Sequence, residues 1–303
     1  MESVLLNDVT LRDGLQTEKS HISLDKKLKL FELIQNAKYN RIEITSFVNP
    51  KWVPQFQDAE AFCQALFQKK VDIETMAFVP NAKGLERFIP YPIPWVAAFI
   101  AATETFNQKN VNSTREESLK ILKELVTKAH AEKRKVRVYI STVFGCPYDG
   151  EPPEKEVVEL FKKVADLGAD EICPSDTIGV AVPRQVENIL GAFLKFFPKE
   201  KIALHFHNTY GLALSSIGKG FELGIRQFDG SSGGVGGCPF ALGATGNVAL
   251  EDVAYFFYRQ GAYSKLTRKP IEDIIRFLDQ ELHFEIRSSL GSLAKKGAKI
   301  YGL

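Results

Sequence analysis

His205 and His207, in the run KIALHFH, stand two residues apart. On a β-strand that spacing projects both imidazoles to one face and turns Phe206 to the other. The pair suits joint ligation of one metal ion, and it also suits strand-end histidines bonded to loop carbonyls. Other polar residues crowd the ends of apolar runs in the same way. Arg12 and Asp13 end the first such run, Glu43 lies in the second ahead of Thr45 and Ser46, and Ser175 with Asp176 closes the sixth. A guanidinium is permanently charged, so Arg12 can hold a developing oxyanion, or it can pair with Glu43 across neighbouring strands. Glu43 itself fits a supporting anchor as well as a reacting group. Cys238 is set among six glycines in GGVGGCPFALGATGN, a segment whose backbone is costly to order.

These residues need a scaffold that brings strand ends together. Eight β-branched or apolar runs recur along the chain: SVLLNDV, RIEITSFV, DIETMAFV, WVAAFIA, KVRVYIS, DEICPSD, KIALHFH and RQFDGSS. Most are separated by stretches of helical spacing with recognisable starts, such as those after Ser23, after Asn112 and in PPEKEVVELFKKVADLG. Strands alternating with helices imply a parallel sheet, and eight such units predict an α/β protein with a (β/α)8 TIM barrel. An open doubly wound sheet would place GxGxxG after its first strand, where this chain has TLRDGLQTE. The barrel is expected over residues 1–262, with 263–303 as a helical extension packed beside it.

In such a barrel the catalytic residues come from the C-terminal ends of the strands and the loops beyond. Strands 7, 8 and 1 are consecutive neighbours, so Asp13 and Asn247 can approach the two histidines, which favours the metal reading of the pair. A donor set of two imidazoles, a carboxylate and an amide oxygen, without thiolate, suits Mg2+ or Mn2+ better than structural zinc.

Composition sets wider limits. The 303 residues are 45% hydrophobic and 25% charged, with a formal charge of +2. Such a weak charge, with no basic run, argues against nucleic acid and membrane partners and leaves a small molecule as the default. No apolar run approaches the roughly 20 residues of a membrane helix. The first residues carry no charged leader or cleavage pattern, and the four cysteines, Cys63, Cys146, Cys173 and Cys238, form no CxxC pair. A cytoplasmic protein with free thiols is the expectation.

The segments LRDGLQTEK, EITSFVNPKWVPQ, GCPYDG, DTIGV, HFHNTYG and GGCPFALGATGNVALEDV, spread over residues 11–252, resemble in order the signature segments of the 3-hydroxy-3-methylglutaryl-CoA lyase family. LRDG and HxH are shared with a wider group of metal-dependent barrels that make or break carbon–carbon bonds, whereas SFVNPKWVPQ and the glycine-flanked Cys238 are more specific. The resemblance implies cleavage of that thioester to acetyl-CoA and acetoacetate, in the context of leucine breakdown. It implies a divalent cation held by Asp13, His205, His207 and Asn247, with Arg12 stabilising the enolate and Glu43 supporting the site. Asp176 would help place the substrate, Cys238 would handle protons, and His205 is a further candidate for a proton transfer. Lys109 and Asn110, after strand 4, are candidates for contacts to CoA, or part of a solvated loop that starts a helix. A homodimer or larger homo-oligomer is expected. The chain departs from the family pattern at Asp8, Thr10 and Leu11, at Cys173, at Asn208 and at Leu242, which keeps a longer 3-hydroxyglutaryl-CoA homologue open. A condensing synthase or oxo-acid aldolase of the same group is a second reading, and a catalytically silent barrel acting as a scaffold a third. The intact Arg12, Asp13, His205, His207 and Asn247 argue against the scaffold, and Cys238 favours the lyase. The glycines around Cys238 suggest a flap that closes over substrate.

Overall fold

The computed structural model describes residues 3–237 and 246–302. Its eight strands are β1 (Leu5–Asp8), β2 (Arg41–Ser46), β3 (Glu74–Phe78), β4 (Trp95–Ala101), β5 (Lys135–Ser141), β6 (Glu171–Asp176), β7 (Ala203–Phe206) and β8 (Gln227–Gly230). All pair in parallel and in order, and β8 closes on β1 with Leu5 opposite Gln227 and Asp8 opposite Gly230. The result is a closed (β/α)8 barrel, as the alternation of runs predicts.

Eleven helices are described: α1 (Leu24–Asn36), α2 (Ala59–Leu66), α3 (Ala82–Phe88), α4 (Glu104–Val111), α5 (Arg115–Ala131), α6 (Glu154–Asp166), α7 (Pro183–Phe193), α8 (Ala213–Glu222), α9 (Leu250–Arg259), α10 (Arg268–Arg276) and α11 (Ser289–Lys295). Their starts follow local chemistry. Ser23 caps α1 by accepting from the Lys26 N–H. Thr114 and Glu117 form a reciprocal capping box on α5, each side chain accepting the other's backbone N–H, at 3.2 and 2.8 Å. Between β4 and β5 the chain makes two helices, with Asn112 in the left-handed conformation at φ 51° ending α4, a conformation asparagine tolerates better than most residues.

Alternation along the strands divides the core in two. Val136, Val138 and Ile140 of β5 and Leu204 and Phe206 of β7 join the large apolar layer between strands and helices. The residues between them, with period 2, fill the barrel itself. There a small apolar group of Met76, Trp95, Ala97, Tyr139, Cys173 and Ala203 is packed together with charged side chains. Arg41, Glu43, Arg137, Glu171 and Asp229 are all buried. Buried charges require partners. Arg41 pairs with Glu74 and Glu171, at 2.8 and 3.1 Å, Arg137 pairs with Glu171 and Asp229, and Arg12 pairs with Glu43. The interior therefore carries an alternating ladder of charge rather than the branched aliphatic filling common in such barrels.

After α9 the chain continues through α10, a π-helical turn over Phe277–Glu281, and α11. Helix α10 packs on α1, and α11 packs on α10 and α9. The Asp252 carboxylate accepts the backbone N–H groups of Ser289 and Leu290 at the start of α11, at 2.8 and 2.9 Å. The Arg287 N–H donates to the Gly233 carbonyl at 2.9 Å, so this last segment is fastened to the loop that follows β8. No helix among the described residues is long and apolar enough to cross a membrane.

Candidate active site

Arg12 and Asp13 do not end β1, contrary to the reading of the sequence. The strand stops at Asp8, whose buried carboxylate accepts the Thr10 N–H at 2.8 Å and the Ser232 hydroxyl at 2.7 Å. Burial pushes the Asp8 carboxyl up to about 6, against those hydrogen bonds. Held there, the backbone turns into a π-helical turn over Thr10–Gly14, in which the Gly14 N–H reaches back to the Val9 carbonyl at 3.1 Å. That turn, not the strand, delivers Arg12 and Asp13 to the barrel mouth. Single-turn π segments of this kind recur at functional sites.

His205 is an interior residue of β7, and His207 follows the end of that strand. Asn247 reaches them by a return of the chain across the barrel top. Val248 donates to the Phe206 carbonyl at 3.1 Å, Ser231 donates to the Val248 carbonyl at 3.1 Å, and His207 and Asn247 form an isolated antiparallel bridge. Asp13, His205 and His207 each offer a ligand atom, and these atoms lie within 4.8 Å of one another. Asn247 donates from Nδ2 to Asp13 Oδ2 at 2.8 Å and to the Val235 carbonyl at 3.2 Å, while its Oδ1 is buried and makes no hydrogen bond. An orphaned amide oxygen beside a carboxylate and two imidazoles is the arrangement a hard or borderline divalent cation would complete. The four residues thus fit a metal ion.

The charges around this cluster are fixed. Arg12 lies 2.5 Å from Asp13 and 2.8 Å from Glu43. Despite the cost of burial, these carboxylates hold its guanidinium charged; burial raises the Asp13 carboxyl, but Arg12 and the two histidines outweigh it and hold Asp13 well below the usual carboxylate range. Burial outweighs Arg12 at Glu43, which is pushed up to about 7. The Tyr139 hydroxyl lies 3.3 Å from Glu43 Oε2 and 3.2 Å from Asp229 Oδ2, joining the two sides of the barrel. Tyr139, Arg137 and Asp229 are absent from any motif reading. The available signal was the period-2 placement of Arg137 and Tyr139 in KVRVYIS, which puts a cation and a phenol on one face of an otherwise apolar strand.

Above the cluster opens a cleft of about 1610 Å3, lined at its base by Arg12, Asp13, Tyr139, Ser175, His205 and His207. Its outer wall includes Trp52 and Asn110. Lys109 and Asn110 lie inside α4 rather than in a loop, and only Asn110 reaches the cleft. The Lys109 ammonium instead lies 5.0 Å from the centre of the Tyr148 ring.

Asp176 does not line the cleft. Its Oδ1 accepts the N–H groups of Gly179 and Val180 at 3.0 and 3.1 Å, and its Oδ2 accepts that of Ala181 at 2.8 Å. The carboxylate expected to place substrate is committed to the loop after β6. That loop presses on the backbone at His207 and Thr209. Gly179 has φ +75°, and a Cβ there would meet the Thr209 nitrogen at 2.6 Å and the His207 carbonyl at 3.0 Å. Gly179→Ala is therefore expected to cost about 1–3 kcal/mol of stability and, with His207 as a candidate ligand, to weaken binding of Mn2+ used as a probe, as read by urea unfolding and calorimetric titration. Retained Mn2+ affinity would show the loop to be uncoupled from the site. Cys238 and most of the segment read as a flap, Leu242 included, lie outside the described residues.

A sequence profile described as HMGL-like matches residues 3–278 of this barrel. The chain belongs to the HMGL-like family. Among curated HMGL-like relatives, the hydroxymethylglutaryl-CoA lyase of Bacillus subtilis is 38% identical over 281 residues, 93% of this chain and 94% of that protein. The 3-hydroxy-3-isohexenylglutaryl-CoA/hydroxymethylglutaryl-CoA lyase of Pseudomonas aeruginosa is 40% identical over 255 residues, 84% of each. Among solved structures, an HMG-CoA lyase from Acinetobacter baumannii in complex with coenzyme A and 3-methylmalate superposes with a TM-score of 0.91. That protein is 33% identical, and the match covers 99% of this chain and 97% of that one.

Proposed function

We propose that this chain cleaves 3-hydroxy-3-methylglutaryl-CoA to acetyl-CoA and acetoacetate. The observation that carries the reading is the convergence of Asp13, His205, His207 and Asn247 beside an Arg12 clamped by two carboxylates, at the base of a cleft of about 1610 Å3. Drug-sized ligands occupy roughly 300–1,000 Å3, so this cleft has room for a CoA thioester. The lyases of Bacillus subtilis and Pseudomonas aeruginosa support the substrate by name, and the coenzyme A complex of the Acinetobacter baumannii lyase supports the acyl carrier.

In this reading Asp13, His205, His207 and Asn247 hold Mg2+ or Mn2+, which when bound supplies Lewis acidity toward the tertiary hydroxyl and orients it. A general base takes the hydroxyl proton, the hydroxyl oxygen becomes the ketone of acetoacetate, and the bond between C2 and C3 breaks with its electrons passing to the thioester enolate. Arg12, charged and held by Asp13 and Glu43, donates to the enolate oxygen. A proton delivered to C2 completes acetyl-CoA, and Cys238 is the proposed donor. A reducing cytoplasm, where thiols persist, is the proposed setting.

The test is to supply the thioester with Mg2+ or Mn2+ and follow acetoacetate by coupled reduction. Acetoacetate and acetyl-CoA are expected in equal amounts, and a chelator is expected to abolish turnover while leaving the circular dichroism spectrum unchanged, because the barrel core contains no metal cluster outside the mouth among the described residues. Absence of acetoacetate with loaded enzyme would remove the lyase reading.

A further inference from the structure

Asp229 ends up in the middle of the barrel with more partners than any loop-facing carboxylate needs. Its Oδ1 accepts from Asn7 Nδ2 at 2.8 Å, and both its oxygens lie 2.8 Å from Arg137 Nη1. The Tyr139 hydroxyl lies 3.2 Å from Oδ2 and the Cys173 thiol 3.8 Å from it. Arg137 is held in turn by Glu171, and Glu171 by Arg41. The carboxylate is therefore fixed from below by a ladder that spans the barrel interior. Its Oδ2 faces upward to His205 Nδ1, 3.6 Å away. That nitrogen is buried and has no hydrogen-bond partner.

A buried ring nitrogen beside a rigid carboxylate has one inexpensive state, in which it carries the proton and donates it to the carboxylate. The 3.6 Å gap exceeds the usual 2.9–3.0 Å by roughly 0.6–0.7 Å, which a tilt of the ring closes. With the proton on Nδ1, the ring's only lone pair is on Nε2. Metal-ligating histidines commonly rely on such a carboxylate to set both tautomer and orientation.

We infer that Asp229 is a positioning residue that fixes His205 as the Nδ1–H tautomer, so that Nε2 is the atom presented to the cation. The inference rests on the metal-site reading above and deepens it. It also divides labour within that site. A His205 with Nδ1 bonded to Asp229 and Nε2 on the cation has no nitrogen free to take up a proton. His205 is then a ligand only, and proton removal and delivery fall to other groups.

The first measurement needs no variant. Long-range 1H–15N correlation spectra of the metal-free protein, labelled at its five histidines, report each ring's tautomer, with His205 assigned from the His205→Gln spectrum. The Nδ1–H pattern is expected for His205, and the Nε2–H pattern would overturn the inference. The second compares Mn2+ affinity of the wild type and Asp229→Asn, by electron paramagnetic resonance of free Mn2+. An asparagine can present N–H to Nδ1 and so reverse the tautomer, and a loss of about 10–100-fold in affinity is expected. Equal affinities in the two proteins would overturn the inference while leaving the metal site standing. A wild type that binds no Mn2+ would overturn both. If Asp229→Asn fails to fold, the spectrum of the wild type decides alone.

Discussion

Replacing Arg12 with glutamine is expected to lower kcat by about 10²–10³-fold, the loss that follows removal of one donor from an oxyanion site. Excess Mn2+ should restore none of it, because Arg12 is not a candidate ligand. Stability should respond in a pH-dependent way. Asp13, held below its ordinary value by Arg12, contributes stability that is present above about pH 4, and the variant forfeits part of that at every higher pH. Glu43 behaves oppositely. Its carboxyl is raised by burial to about 7, so the fold favours the neutral acid, and stability declines as pH climbs from the ordinary 4.5 through 7. Arg12 limits that rise, and without it the decline continues to higher pH. Thermal unfolding of the two proteins should show a gap in Tm that widens above about pH 7. A constant gap would mean that Arg12 and Glu43 are not coupled, and an unchanged kcat would remove Arg12 from the chemistry.

Asp13→Asn should produce a different failure. Asp13 is the sole carboxylate of the proposed ligand set, and it also orients its neighbours: Asn247 donates to its Oδ2 at 2.8 Å and His207 Nε2 lies 3.5 Å from that oxygen. An amide in its place removes the negative charge that attracts the cation and can turn N–H toward Asn247 Nδ2. Mn2+ affinity should fall by at least the roughly 10–100-fold that loss of a supporting hydrogen bond alone would cost. Turnover should fall with it and recover partly as Mn2+ is raised, which Arg12→Gln does not allow. Steady-state rates over a Mn2+ titration separate the two variants. A variant that saturates at the wild-type metal concentration with the same rate would exclude Asp13 as a ligand. The stability deficit of this variant should shrink as pH falls below about 4, where the native carboxylate loses its advantage.

The barrel was legible because each of the eight runs is short, apolar and separated by a stretch with helical period and a start signal, as at Ser23 and Thr114. Convergence of Asp13 and Asn247 on the two histidines was legible too, since closure alone makes β7, β8 and β1 neighbours. What escaped depends on hydrogen bonds that have no sequence period. The π-helical turn after β1 exists because Asp8 captures Thr10 and Ser232, a contact between residues more than two hundred apart. Asp176 has the chemistry of a substrate ligand, but three backbone N–H groups of a tight loop occupy it. Lys109 and Asn110 are adjacent in sequence, and only the packing of α4 takes Asn110 to the cleft and Lys109 to the Tyr148 ring. Asp229 was hidden for another reason: in RQFDGSS it reads as a polar residue at a turn, and only the closed pairing of β5 to β8 brings it within reach of Arg137.

The closure of β8 on β1 has a consequence for the order in which the molecule comes into being. Asp13 and Asn247, which touch in the finished site, are 234 residues apart along the chain. Joining the ends of so long a loop is entropically costly and is rewarded only when the last strand pairs with the first. A chain in which these two ends have not met is expected to lack the proposed cation site, however many strands have already paired. In the proposed site, affinity for a cation is therefore expected only once the two ends of the chain have met, and the rate at which refolding protein takes up Mn2+ is expected to report the moment the barrel shuts.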